Sequence, residues 1–316
     1  MGTKFTLIFY AEDAEAANTA AQAAFARIAA LNVILSDYDE RSELSRLSSG
    51  SPHAQPVPVS DELWQVLTHA QQLAKRTQGA FDVTVGPIVR LWRRVRRQHK
   101  LPPQERLMVA LRSTGYQHLY LSDDHQMVQL VHPGMKLDLG GIAKGYAADE
   151  AITVLREHGF TRALVDAGGD IVVGDAPPDQ EGWQIEIAAP RSENTAVDEP
   201  RRYIHLANAA VAQSGDTWQF VEIDGVRYSH IVDPHTGVGL MNQLAVTVVA
   251  PDGITADSLA SALSVMGAEK GLCLIAKLDD TEALLVERPD RDETAREVTS
   301  QGWRTLEKSD ELPVVQ

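Results

Sequence analysis

The chain has 316 residues, 44% of them hydrophobic and 23% charged, with a formal net charge of −15. That length allows one large domain or two modest ones with a substantial core, while the excess of acid disfavours nonspecific binding to nucleic acid or anionic lipid. The single cysteine, Cys273, excludes an internal disulfide and reads as a small buried hydrophobe in the run Leu272-Cys273-Leu274-Ile275. No apolar run approaches the roughly 20 residues of a membrane span.

Residues 3–10 read as a strand. Residues 13–31 read as an amphipathic helix with Phe25, Ile28 and Leu31 on its apolar stripe. The polar stretch 36–47 is expected to be a loop with a short helix capped by Ser42, and the proline-rich stretch 50–59 a connector. A second helix starts after Ser60, buries Leu63, Val66, Leu67, Ala70 and Leu73, and stops at Gly79. The run Arg90 to Lys100 carries six basic residues around Trp92, as a solvated helix face or as a docking patch. A short helix to about Arg112 and strands near 117–121 and 127–131 follow.

Leu137-Asp138-Leu139-Gly140-Gly141 reads as a strand broken by a double glycine, leading into an alanine-rich helix that lasts to about Gly159. Adjacent glycines let backbone approach a ligand closely, and the helix start offers unpaired N–H groups to an anion. Asp138 and Lys144 add one charge of each sign, so the stretch suits a phosphorylated ligand or is ordinary turn chemistry. Its spacing fits neither a dinucleotide fingerprint nor a P-loop. A hairpin is expected over 162–175 and strands near 183–188 and 203–212, with 190–202 as a surface loop. Another hairpin turns at Asp224-Gly225, a strand covers 244–249, and helices cover 252–267 and 268–277 with Gly267 between them. A strand at 282–287 and a polar tail, 291–316, finish the chain. No linker forces a split, so one domain of α+β class is expected, with largely antiparallel sheets flanked by helices.

Asp257 and Ser261 share one helix face, and a carboxylate, a hydroxyl and nearby carbonyls are hard oxygen donors of the kind Mg2+ prefers; alternatively Asp257 caps the helix and Ser261 packs. His230 can act as a general base or be a structural histidine. Its spacing to His235 places the two on opposite faces of a strand. There is no Cys/His cluster, G-x-S-x-G elbow or H-E-x-x-H helix, so zinc and serine-hydrolase readings have no support.

Several segments occur in a fixed order: Met1-Gly2-Thr3, Ser42-Glu43-Leu44-Ser45-Arg46-Leu47, Ala80-Phe81-Asp82-Val83-Thr84, Asp138-Leu139-Gly140-Gly141 through Asp149, Val165-Asp166 with Gly168-Gly169-Asp170, Ser214-Gly215-Asp216, Ser229 through Gly237, and Ala256 through Ala262. Together they resemble the FAD:protein FMN transferase (ApbE) family over residues 1 to about 290. The resemblance implies an ApbE-like fold and FAD bound by Met1, Tyr38, Ala80, Phe81, Asp82, Asp138, Lys144 and Ile231. It implies Mg2+ held by Gly141, Asp257, Ala260 and Ser261, with Ser261 standing where the family commonly has threonine. The implied reaction cleaves FAD, attaches FMN to a threonine or serine hydroxyl of a target flavoprotein and releases AMP, with His230 and Asp257 as candidate catalytic residues. Two alternatives use the same pocket: a Mg2+-dependent FAD pyrophosphatase yielding FMN and AMP, and a non-enzymatic FAD carrier. No export signal precedes the first strand, so a cytoplasmic location is expected, or a periplasmic one if the sequence is a trimmed form of an exported relative.

Overall fold

The computed structural model describes residues 2–187, 202–215, 220–288 and 295–307. In chain order they form β1 (Thr6–Phe9), α1 (Ala14–Leu35), α2 (Glu43–Ser49), β2 (Val57–Pro58), α3 (Asp61–Arg76), α4 (Gly86–Gln98), α5 (Gln104–Arg112), β3 (Leu119–Ser122), β4 (Met127–Leu130) and α6 (Ala143–Glu157). Then come β5 (Ala163–Asp166), β6 (Ile171–Val173), β7 (Trp183–Ile187), β8 (Arg202–Leu206), β9 (Ala209–Gly215), β10 (Phe220–Ile223), β11 (Val226–Ser229), β12 (Gln243–Ala250), α7 (Gly253–Ile275), β13 (Glu282–Arg288), β14 (Arg296–Thr299) and α8 (Trp303–Leu306). The expected loop at 190–202 and the residue Asp216 lie outside the described residues, apart from Arg202 at the start of β8.

The helix starts follow from side chains that accept orphan N–H groups. Asp13 accepts from Glu15 and Ala16, Ser42 from Ser45, Ser60 from Leu63, and Asp252 from Thr255. Glycine sets the breaks: Gly267, at φ +74, divides α7 into two segments where the sequence places a boundary. The Asp224-Gly225 turn has both residues at positive φ (51 and 78), as a two-residue hairpin of this hand requires.

Seven strands form one antiparallel sheet in the order β1-β5-β6-β9-β12-β13-β14. Strand period 2 sorts its core residues between two faces. Ala210, Ala212, Leu244, Val246 and Val248 point to the side packed by α6 and α7. Val211, Val249, Leu284 and Val286 point to the other side, where they meet Trp183, Ile185, Ile204 and Trp303. Helix α1 packs on α6 through small residues of its own, Ala20 and Ala24, besides Ile28, Leu31 and Leu35. A third cluster joins α4 and α5 to the β10–β11 hairpin through Ile88, Trp92, Val95, Ala110, Val221 and Ile223. Trp92 Nε1 donates to the Gly237 carbonyl at 2.8 Å, tying α4 to the turn that follows the hairpin.

Four expectations need correction. Leu137–Leu139 is extended but belongs to no named strand; its N–H groups are taken by Ser48 Oγ (Leu137) and the Val83 carbonyl (Asp138), with a single parallel bridge between Val85 and Lys136. Phe25 is 45% exposed, because the alanine face of α1, rather than its aromatic flank, faces α6. Cys273 is exposed, on the outer side of the segment of α7 beyond the break. Part of the expected polar tail is structure: β14 pairs with β13, and Trp303 is fully buried against the sheet. Helix α7 is itself long and apolar enough to cross a membrane by length and composition, yet it is broken at Gly267 and packed on β9, β12 and α6 as the core helix.

Candidate active site

A cleft of about 730 Å³ opens where the Gly140-Gly141 turn, the first half of α7, the segment 80–85, one flank of α4 and the turn after β11 converge. Its floor is set by the meeting of α6 and α7. Gly145 lets the two backbones touch: a Cβ there would lie 2.0 Å from the Gly253 carbonyl oxygen and 2.9 Å from Asp257 Cβ. Asp149, on α6, accepts from the first N–H groups of α7, with Oδ1 2.6 Å from Gly253 N and Oδ2 2.8 Å from Ile254 N. In return Asp257, on α7, accepts from Gly145 N at 3.1 Å. Each helix start is thus closed by a carboxylate of the other.

Of the two readings of Asp257, capping of its own helix does not hold. The cap of α7 is Asp252, helped by Asp149, so Asp257 is free of that duty. It sits one turn further in, 4% exposed, at the cleft wall with Ser261. A Cβ on Gly141 would fall 2.5 Å from Ser261 Oγ and 3.7 Å from the Phe81 ring, so glycine is what lets the turn's backbone come this close to the hydroxyl.

Lys144 forms an ion pair with Asp170, which the hairpin between β5 and β6 delivers from the sheet. Burial alone would lower the lysine's pKa, but the carboxylates of Asp257 and Asp170 hold it above the ordinary value. Burial pushes Asp170 up to about 7, with the Asp257 charge adding to the shift and Lys144 opposing it. Burial likewise raises Asp257. A site holding this much buried carboxylate against one lysine favours the arrival of further positive charge.

The opposite rim is organised by Arg93 of α4. Its guanidinium pairs with Asp37 at 2.6 Å and Asp138 at 3.0 Å and lies over the Tyr38 ring at 4.1 Å. Asp138 also accepts from Gly140 N at 2.9 Å, so one carboxylate bends the glycine turn and anchors the rim. Burial and the nearby Asp37 charge raise Asp138 to about 6.

The structure brings together most of the residues expected to bind or react. Tyr38, Ala80, Phe81, Asp82, Asp138, Gly141, Lys144, His230, Ile231, Asp257 and Ser261 all line the cleft. Met1 lies outside the described residues, although its neighbours Gly2 and Thr3 line the cleft. Ala260 is buried in α7 and is not among the lining residues; its carbonyl accepts from Ser264 Oγ at 2.9 Å. The carboxylate of Asp82 is engaged within the protein: Oδ1 accepts from Thr84 N and Oγ1 at 2.8 and 2.7 Å, and Oδ2 from Tyr116 N at 2.8 Å. That aspartate shapes the loop carrying Ala80 and Phe81. His235 is held outside the cleft by Asp233 and the Gln78 carbonyl, so the two histidines do not share a site.

Arg93, Arg96 and Asp37 are cleft residues that the sequence reading did not pick out. The signal was present: Ile88, Trp92 and Val95 mark the buried stripe of α4, which leaves Arg93 and Arg96 together on one flank.

Among the described residues no group of three or more His, Cys, Asp or Glu side chains could hold a metal. What the cleft does offer is one buried carboxylate, one hydroxyl four residues on and the backbone of a glycine turn, an all-oxygen set that suits Mg2+ bound jointly with a substrate phosphate and water.

Residues 1–285 match the family model of the ApbE family. Relatives called FAD:protein FMN transferase include one from Vibrio cholerae, 33% identical over 294 residues, covering 92% of this chain and 86% of the relative. Another, from Escherichia coli, is 33% identical over 242 residues, covering 75% of this chain and 68% of the relative. Among solved structures, the flavin transferase ApbE of Vibrio cholerae superposes with a TM-score of 0.84 at 31% identity, covering 97% of this chain and 96% of that one. The ApbE protein of Thermotoga maritima gives 0.83 at 31% identity, with the same coverage of both chains.

Proposed function

This chain belongs to the ApbE family, and from that premise we propose that it transfers FMN from FAD to a threonine or serine hydroxyl of a target flavoprotein, releasing AMP, with Mg2+ required. The observation that carries the reading is the meeting of the Gly140-Gly141 turn with Asp257 and Ser261 at the floor of a cleft with an aromatic wall. The cleft volume of about 730 Å³ is within the range of small-molecule sites.

The acceptor oxygen forms a bond to the phosphorus of the FMN half, and the bond from that phosphorus to the bridging oxygen breaks. AMP departs with the bridging oxygen, and the hydroxyl proton passes to a base. His230, half-buried at the cleft wall just beyond β11, is the side chain of suitable chemistry for that proton. Phe81 offers a flat surface for a ring, and Ile231 and Ala80 offer apolar contact. Lys144 supplies fixed positive charge near the diphosphate position, oriented by Asp170. Asp257 and Ser261, with the Gly141 carbonyl, are the groups that would hold Mg2+; when bound, the ion supplies charge neutralisation at the diphosphate. Ala260 has the weaker claim, since its carbonyl already accepts from Ser264.

The test is intact-mass measurement of an acceptor flavoprotein domain incubated with this protein, FAD and Mg2+, with AMP quantified in parallel. The expected result is a mass gain of one FMN per domain and one AMP per FMN attached. AMP in large excess over attached FMN would favour hydrolysis in the same cleft, and intact FAD with no AMP would favour a carrier.

A further inference from the structure

Helix α4 carries its charges in an order that the cleft explains only in part. Ile88, Trp92 and Val95 face the third core cluster, and Arg93 and Arg96 face the cleft. Arg90, Arg94 and Arg97, at spacings of four and three, form a separate exposed stripe that borders the Arg93 flank. The helix contains no acidic residue. Among the described residues none of these three arginines takes part in an ion pair, although Arg94 Nε is hydrogen-bonded to Gln98 Oε1 at 3.1 Å. Lys100, also exposed, extends the stripe past the helix end, where His99 adopts a left-handed conformation.

In a chain with a net charge of −15, a basic strip without acidic neighbours on its own helix is a local reversal of the field. The remaining acid of the molecule repels polyanions and anionic bilayers as a whole, so the strip suits a partner that meets the protein locally, at the cleft mouth. The transferase reading, on which this step rests, requires such a partner, because the acceptor hydroxyl sits on another protein and must enter the cleft. We propose that Arg90, Arg94 and Arg97 form a docking strip for an acidic surface of the target flavoprotein beside its acceptor residue. Tyr38, 69% exposed and stacked on Arg93 at the rim, supplies an aromatic contact next to that strip, the residue pairing that recurs at protein interfaces. Charges arranged this way act chiefly on encounter and orientation, and so on the apparent affinity for the partner rather than on the chemical step.

The experiment compares the full chain with the triple variant Arg90→Glu, Arg94→Glu, Arg97→Glu in steady-state FMN transfer to an acceptor flavoprotein domain, from about 50 to 300 mM salt, with FAD binding followed by fluorescence. The expected result is a rise in KM for the acceptor of at least about tenfold, with kcat and FAD affinity kept, and a flattened salt dependence of kcat/KM. The milder triple variant with glutamine at the same positions should give an intermediate rise in KM, which guards against a folding defect caused by charge reversal. An unchanged KM and salt slope in both variants, with transfer otherwise normal, would overturn the docking strip and leave the transferase reading standing. A loss of FAD affinity or kcat at unchanged KM would also overturn it, by assigning the stripe to the cleft. Absence of any transfer by the unaltered protein would overturn both.

Discussion

Asp138 is bound from two sides, by Gly140 N at 2.9 Å and by the Arg93 guanidinium at 3.0 Å, and burial together with Asp37 raises its pKa to about 6. Its folded-state value lies above the ordinary carboxylate value, so the folded protein holds this proton more tightly than the unfolded chain does. Its contribution to stability is therefore best below about pH 4 and is lost as pH rises toward 6, the reverse of a carboxylate whose pKa is depressed by an ion pair. For function the sign is the opposite, since the ionised form anchors Arg93. We expect kcat/KM for FAD to fall as pH drops through about 6. Replacing Asp37 by Asn removes a like charge, so that acid limb should move to lower pH in a pH–rate profile; an unmoved limb would contradict the coupling. At this scale the sequence was informative where backbone and side chain act together, as with Gly141, Asp257 and Ser261, whose order along the chain carries the resemblance. Arg93 was legible only indirectly, because a run of six basic residues shows which of them turns inward only once the helix register is fixed by Ile88, Trp92 and Val95.

The contact between α6 and α7 is the element on which the cleft floor depends. It is closed by reciprocal carboxylates, Asp149 to the start of α7 and Asp257 to Gly145, and it needs glycine at the crossing. Arg27 of α1 braces α6 from outside through Glu150 and reaches α3 through Glu62. Gly145→Ala would put a methyl 2.0 Å from a backbone oxygen, which no side-chain rotation can relieve. We expect a loss of about 1–3 kcal/mol in urea unfolding, accompanied by a drop in transfer rate as Asp257 is displaced; unaltered stability would show that the helices are not in this contact. The helices were largely legible because their caps and breaks are local: Ser42, Ser60 and Gly267 each act within one turn. The segment 137–139 was not, since its apolar alternation reports burial of Leu137 and Leu139 while its hydrogen bonds go to a side chain of α2 and to the carbonyl of Val83 rather than to a strand.

Across the whole molecule the antiparallel sheet separates two jobs. One face supports α6, α7 and the cleft; the other is covered by the β7–β8 hairpin and by α8. The mixed antiparallel class was readable from the alternation of helices with short strands, but the return of β14 to pair with β13 was hidden by its polar surroundings in the sequence. Trp303, fully buried on the far face, tests this division. Trp303→Ala should destabilise by about 3–5 kcal/mol and lower Tm, with FMN transfer per folded molecule kept at a permissive temperature; a selective loss of transfer without loss of stability would contradict the division. The central claim, that the glycine turn and the start of α7 grip a divalent cation beside a diphosphate, is tested most directly by FMN transfer under metal control in the unaltered protein and in Asp257→Asn. Transfer should vanish on chelation and return with Mg2+ in the first, and stay at least about a hundredfold down in the second at any Mg2+ concentration. Transfer that survives chelation, or a variant as fast as the unaltered protein, would contradict it.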